Sequence, residues 1–76
     1  MNNSRRKRIN ESISLLEDAQ QKLKVVLDEE QDALSSLPDA EEYDAMRDGI
    51  DNLISELDDT ITSLEEALDT LNGADF

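Results

Sequence analysis

The sequence has no cysteine, no histidine and no tryptophan, and it has only one proline and two glycines in 76 residues. Without cysteine or histidine, disulfide bonds, thiol nucleophiles and the ordinary zinc sites are excluded. No apolar run approaches the roughly 20 residues that a membrane-spanning helix needs. The N-terminus is basic, but no apolar stretch follows it, so we expect no signal peptide and a cytoplasmic protein.

Acidic residues are abundant, and they are unevenly placed. The 20 acids and 7 bases give a net charge of −13. Residues 1–8 carry +4, residues 9–38 carry −5 and residues 39–76 carry −12. Such a field repels nucleic acid and anionic lipid and attracts basic surfaces. We therefore expect a basic protein surface as the partner, no membrane contact, and no direct nucleic-acid binding through the basic residues 5–8.

Two long heptad patterns predict an all-α fold. They span about residues 4–36 and about residues 40–72, and Pro38 ends the first because proline disfavours helical geometry at the residue before it. A turn at 37–39 makes the helices antiparallel neighbours, since the connection is short. We expect a single domain over residues 1–76, a coiled-coil-like two-helix hairpin with a loose tail at 73–76.

The ends of these helices carry recognisable signals. Ser4 is a candidate N-cap for the first helix. Asp39 and Glu42 have the spacing of a capping box at the start of the second. Gly73 can take the left-handed conformation that ends many helices, and Phe76 is a candidate to fold back onto the hairpin.

Each helix is expected to bury one apolar seam whose members are spaced alternately by three and four residues. The first seam is Ile9, Ile13, Leu16, Gln20, Leu23, Leu27, Glu30, Leu34 and Leu37. The second is Tyr43, Met46, Ile50, Leu53, Leu57, Thr60, Leu64, Ala67 and Leu71. Glu30 would face Arg47, the one base of the second helix, and we expect an ion pair there that fixes the register.

More apolar side chains are present than one hairpin seam can cover. Ile54, Ile61 and Leu68 repeat at every seventh position beside the second seam, and Ala19, Val26 and Ala33 do so beside the first. We expect this surplus to contact a partner or a second copy, which would make a four-helix bundle.

The strongest candidate for a binding site is the acidic surface of the second helix. Its members are Asp44, Asp48, Asp51, Glu56, Asp58, Asp59, Glu65, Glu66 and Asp69. Four of them recur at every seventh position, which spaces them by about 10.5 Å along a helix. Interleaved with the neighbouring acids, they resemble a line of phosphates. Such a surface could occupy the nucleic-acid-binding cleft of another protein.

Catalysis is not expected. General acid–base chemistry needs a carboxylate in a cleft, and a hairpin offers only solvated faces. The sequence holds no glycine-rich phosphate loop and no nucleophile constellation, so we assign no catalytic, cofactor or metal residue.

The stretch DEEQDALSSLPDA, with IDNL and SLEEALD after it, resembles a group of small acidic helical-hairpin proteins of bacteriophages and prophages, most of them uncharacterised. The resemblance covers roughly residues 5–70. It implies a phage accessory protein in the cytoplasm of a bacterial host, acting against host nucleases or other defence proteins, and it assigns no role to any residue. The alternative is a structural or adaptor protein that binds through its apolar stripes, with the acids only keeping it in solution.

Overall fold

The computed structural model describes residues 2–74, and its architecture is a two-helix hairpin. Helix α1 spans Asn3–Ser36, a single 3-10 turn spans Glu41–Tyr43, and helix α2 spans Asp44–Asn72. The two helices lie side by side in a rod with extents of 60 × 15 × 13 Å. The predicted all-α hairpin is therefore confirmed.

Helix α1 begins earlier than predicted. Asn2, with extended backbone, is the N-cap, and its Oδ1 accepts a hydrogen bond of 2.9 Å from the backbone N–H of Arg5. The prediction of Ser4 as the cap is wrong, because Asn2 lies at the correct distance from a free N–H and has an equally suitable side chain. Ser4 is already within the first turn of the helix.

The break at Leu37 and Pro38 is confirmed. Leu37 has φ −68° and ψ 135°, the extended geometry that a following proline imposes, and its N–H donates to the Leu34 carbonyl at 3.3 Å. The predicted capping box of Asp39 and Glu42 does not form. The 3-10 turn starts after Ala40 without any side-chain cap, so α2 proper begins four residues later than expected.

Arg47 holds the turn instead of pairing with Glu30. One guanidinium nitrogen of Arg47 lies 3.0 Å from the Asp44 carboxylate, and the other donates to the Pro38 carbonyl at 2.8 Å. The Glu30–Arg47 prediction is therefore wrong. The pair fails because Arg47 is turned toward the flank of α2 that carries Asp44, where the turn offers it two acceptors.

Helix α2 ends where the sequence predicts, but by a different cap geometry. Gly73 has φ −88° and ψ −6°, which is right-handed, and its N–H donates to the Asp69 carbonyl at 3.0 Å. The expected left-handed glycine cap is wrong, since the chain makes one further turn that any residue could adopt. The prediction for Phe76 lies outside the described residues.

The predicted seam of α1 is confirmed at every position. All nine of its members are buried or half-buried, and Ile13 is only 6% exposed. Gln20 belongs to this seam, and its Nε2 has no hydrogen-bond partner among the described residues. An unsatisfied amide inside a seam destabilises the fold by about 1–3 kcal/mol.

The predicted seam of α2 is half right. The members at every seventh position, from Tyr43 to Leu71, face α1 as expected. At the positions between them, the residues that face inward are Arg47, Ile54, Ile61 and Leu68. The residues predicted there, which instead face outward, are Met46, Leu53, Thr60 and Ala67. Ile61 and Leu68 are 7% and 6% exposed and, with Ile13, form the most buried part of the molecule.

Side-chain size explains this rotation of α2. The inward set contributes three large aliphatic side chains, whereas the predicted set would have buried a threonine and an alanine at two of the same levels. A fully buried leucine or isoleucine contributes roughly 1.5–3 kcal/mol, so the observed rotation buries more apolar area. Arg47 comes inward with that set and remains half-exposed through its contacts at the turn.

Candidate protein-binding surfaces

The nine acidic residues of α2 form one solvent-facing surface. Every one of them is exposed, as the sequence predicts for a partner-binding surface. Arg47 is the only base of this helix, and its pairing with Asp44 is the single ion pair within residues 2–74. The other eight carboxylates have no basic partner among residues 2–74 and present their charge to solvent.

Four of these acids form a regular line along one flank of the seam. This acidic column consists of Asp44, Asp51, Asp58 and Glu65. Each member directly follows a seam residue, and successive residues of a helix turn by about 100°, so the column lies to one side of the contact with α1. Steps of seven residues space its members by about 10.5 Å. Asp48, Asp59, Glu66 and Asp69 extend the charge around the outer side of the helix.

The other flank of α2 is nearly free of charge. It carries Met46, Leu53, Thr60 and Ala67, each of which directly precedes a seam residue. On α1, Ala19, Val26 and Ala33 also directly precede seam residues. In an antiparallel pair of helices, the positions that flank the seam in the same way on each helix lie on the same side of the hairpin. The column of α1 and the column of α2 therefore share one face. We call the six apolar residues among them the apolar face: Ala19, Val26, Ala33, Met46, Leu53 and Ala67.

A groove at the free end of the hairpin supports this assignment of sides. It has a volume of about 410 Å³, and its lining includes Arg5 and Ser12 of α1 together with Leu71 of α2. Arg5 and Ser12 belong to the same every-seventh column of α1 as Ala19. That column therefore borders α2 across a shared surface, and the apolar face continues from this groove toward the turn.

The structure contradicts the predicted contact role of Ile61 and Leu68, which are buried inside the hairpin, and it leaves Ile54 half-buried. The large apolar side chains that remain exposed are Leu15 at 69%, Met46 at 56%, Val25 at 50%, and Val26 and Leu53 at 40% each. Of these, Val26, Met46 and Leu53 belong to the apolar face. Sequence reasoning found both sets of residues but assigned them to the wrong sides, and comparing side-chain volumes at positions 54, 61 and 68 with 53, 60 and 67 would have separated them.

The basic residues Arg5, Arg6, Lys7 and Arg8 form a basic end in the first turns of α1. Positive charge there opposes the dipole of α1 itself. The antiparallel packing compensates for this, because it places Arg5 and Arg8 in the groove with Leu71, near the last carbonyls of α2. The C-terminal end of a helix favours cations. The rod thus has a basic free end and an acidic body.

No arrangement suited to a metal ion is found within residues 2–74, where no group of three or more potential ligands converges. Neither helix of the described chain has the length and hydropathy of a membrane span. Comparison with protein-family models, with curated proteins and with solved structures gives no match. The function is therefore inferred from the residues of the hairpin.

Proposed function

We propose that this protein is a non-enzymatic interaction protein whose acidic α2 surface occupies a basic, nucleic-acid-binding surface of another protein. The observation that carries the proposal is the exposure of nine carboxylates on one helix, of which only Asp44 has a basic partner within the described part of the chain. Unpaired like charges destabilise a fold slightly, so this helix keeps a charge pattern that its own stability does not need.

The geometry of the acidic column supports mimicry of a nucleic acid. Its members repeat at about 10.5 Å, and the acids at positions 48, 59, 66 and 69 fall between them on the neighbouring turns. A straight helix of 29 residues holds this line rigidly. A cleft lined with lysine and arginine exchanges counterions for phosphates, and it would exchange them for fixed carboxylates by the same physics.

The resemblance to small acidic phage hairpins suggests which partner to test first. A phage accessory protein of this kind would act in the bacterial cytoplasm on a host nuclease or another defence protein that binds nucleic acid. The proposal itself needs only the basic surface, and it extends to any protein whose nucleic-acid cleft matches a rod 60 Å long.

The test is capture of partners from a nuclease-treated bacterial lysate on the immobilised protein, at about 50 mM and about 200 mM salt. We expect nucleic-acid-binding proteins to be retained at low salt, lost at high salt and eluted by short duplex DNA. For a purified partner, each removed carboxylate contact should lower the slope of log affinity against log salt by about one.

A matched pair of charge variants makes this test specific to the acidic column. The column variant combines Asp51→Asn, Asp58→Asn and Glu65→Gln. The control variant combines Glu11→Gln, Asp18→Asn and Asp32→Asn on the side of α1 that points away from α2, and it removes the same charge. We expect only the column variant to lose the partner. Equal loss from both variants, or binding that ignores salt and DNA, would contradict the proposal.

The adaptor alternative keeps part of its predicted surface, because Ile61 and Leu68 are buried inside the hairpin whereas the stripe of α1 that includes Val26 stays exposed. An apolar contact is still available, but on the apolar face, which lies on the side of α2 opposite the acidic column. The two surfaces can therefore be occupied at the same time by different molecules.

A further inference from the structure

The apolar face is an uncovered strip that runs along most of the hairpin. Its three largest members, Val26, Leu53 and Met46, are 40%, 40% and 56% exposed. Val26 and Leu53 lie at the same number of residues from the turn, one on each helix, so they meet near the middle of the strip. A run of exposed side chains at heptad spacing on both helices is the pattern of an interface, whereas scattered exposed leucines are ordinary.

The hairpin alone has a thin core. Within the described chain only Ile13, Ile61 and Leu68 are buried, and each of them is still 6–7% exposed. A chain of 76 residues that forms only two helices buries little apolar area and gains little stability from it. Oligomerisation is a common way for such small domains to gain further stability. Covering the apolar face would turn a single seam into the closed core of a four-helix bundle.

We propose that the apolar face binds a second copy of this chain, so that two hairpins form an antiparallel four-helix bundle. The inference is independent of the proposed function, because it uses the flank of α2 that lies opposite the acidic column. It also assigns the dimer contact to Val26, Leu53 and Met46 rather than to the residues that the heptad pattern first suggests.

Charge complementarity selects the orientation of the two copies. The free end of the rod carries Arg5, Arg6, Lys7 and Arg8, and the turn end carries Asp39, Glu41 and Glu42. If the two copies ran in the same direction, basic end would face basic end and turn would face turn. If they run in opposite directions, each basic end lies beside the acidic turn of its partner, and both repulsions become attractions. A two-fold axis across the middle of the rod produces this arrangement.

The dimensions of the rod suit such an interface. A whole side of the rod measures 60 Å by 15 Å or 13 Å, so an interface with the roughly 800 Å² per partner of a standard complex would extend beyond the six apolar residues to their neighbours. Those neighbours carry both signs of charge, since Lys22 and Glu29 border Val26 and Glu56 borders Leu53. In this dimer the two acidic columns point outward on opposite sides and stay accessible.

The first experiment measures the molar mass of the chain by sedimentation equilibrium over a range of concentrations. We expect a dimer at micromolar concentration that Val26→Asp or Leu53→Asp weakens by at least about 100-fold, because each places an unpaired charge in a closed apolar contact. Val25→Asp is the matched control. Val25 is more exposed than Val26, at 50%, and lies on the side of α1 that points away from α2, so its variant should dimerise normally.

The second experiment tests orientation without disturbing the apolar contact, and the absence of native cysteine makes it clean. Two single variants, Ser12→Cys and Ala33→Cys, are oxidised separately and as a mixture. Opposite orientation brings position 12 of one copy near position 33 of the other, so we expect a disulfide-linked dimer mainly from the mixture. In parallel orientation, a two-fold axis along the rod would place α1 against α2 of the other copy, so neither the single variants nor the mixture would link efficiently.

Three results would overturn the inference. A chain that stays monomeric at high concentration would leave the apolar face to a different protein. A dimer that survives Val26→Asp and Leu53→Asp, or that Val25→Asp disrupts equally, would place the contact elsewhere. A dimer in which the mixture of Ser12→Cys and Ala33→Cys gives no mixed disulfide would contradict the antiparallel arrangement. If an aspartate variant fails to fold, which circular dichroism would show, the disulfide experiment still tests whether two copies meet through this face in opposite orientation.

Discussion

The two flanks of α2 border the same seam, yet they carry opposite kinds of side chain. One presents Asp51, Asp58 and Glu65 in a line, and the other presents Met46, Leu53 and Ala67. The difference shows that the rotation of a helix decides more than its core. A rotation of about 50° around the helix axis, half a residue, would have buried the apolar flank and exposed Ile54 and Ile61 instead. The surface offered to partners therefore depends on which stripe fills the interior.

A charged substitution in the inward stripe of α2, which contains Ile54, Ile61 and Leu68, should have the greatest effect on stability. Ile61→Asp should abolish cooperative unfolding, at a cost of about 4 kcal/mol or more, because it buries a charge at a position that is 7% exposed. Thr62→Asp, one residue later and exposed, should change the free energy of unfolding by less than about 0.5 kcal/mol. Urea unfolding followed by circular dichroism measures both. Similar stability in the two variants would refute the observed rotation.

A gentler pair of variants compares the two stripes directly. Ile54→Ala should cost about 2 kcal/mol, because it removes a side chain from the seam, whereas Leu53→Ala should cost less than about 1 kcal/mol in the monomeric hairpin. The measurement is the urea midpoint at a concentration low enough to populate monomer. A reversed order would restore the seam that the heptad pattern first suggests.

Arg47 sits between the flanks, and its variant has a smaller expected effect. Arg47→Ala should lower the free energy of unfolding by about 1 kcal/mol, since it removes the hydrogen bond to the Pro38 carbonyl. The contact with Asp44 adds little, because that carboxylate is 63% exposed. Asp44→Asn should therefore cost clearly less than Arg47→Ala in the same thermal or urea measurement, and an equal cost would shift the role from the turn to the ion pair.

The smallest expected effect has the opposite sign and belongs to the acidic flank. Neutralising Asp51, Asp58 and Glu65 together should raise the free energy of unfolding at low salt by about 0.5 kcal/mol, since Asp51 and Glu65 each repel a like charge three or four residues away, at Asp48 and Asp69. The gain should shrink as salt screens the charges. Thermal unfolding at two salt concentrations tests this, and a loss of stability would mean that these carboxylates have a structural role.

Much of the fold can be predicted from the sequence, because it depends on local signals. The heptad spacing of α1 and the break at Pro38 involve neighbouring residues, and both were correct. The caps were harder, since Asn2 and Ser4 both have side chains suited to an N-cap and only the position at which the helical backbone begins decides between them. Asp39 has the spacing of a cap, but the chain enters α2 through a 3-10 turn that leaves it unused.

The candidate surfaces also have a part that can be predicted from local sequence and a part that depends on packing. The exposure of the acidic residues follows from their charge and was predictable. The inward stripe of α2 was not, because Leu53 and Ile54 both fit a heptad and the choice depends on the total volume packed against α1. The failure of the Glu30–Arg47 pair was not predictable either, because the turn offers Arg47 the Pro38 carbonyl and the Asp44 carboxylate as acceptors.

An isotope-filtered nuclear Overhauser measurement, on a dimer mixed from labelled and unlabelled chains, shows directly which stripe of α2 packs inside the hairpin and which contacts the second copy. We expect contacts between chains from the methyl groups of Val26 and Leu53, and contacts only within one chain from those of Ile61 and Leu68. Contacts between chains from Ile61 or Leu68, with none from Leu53, would contradict this expectation.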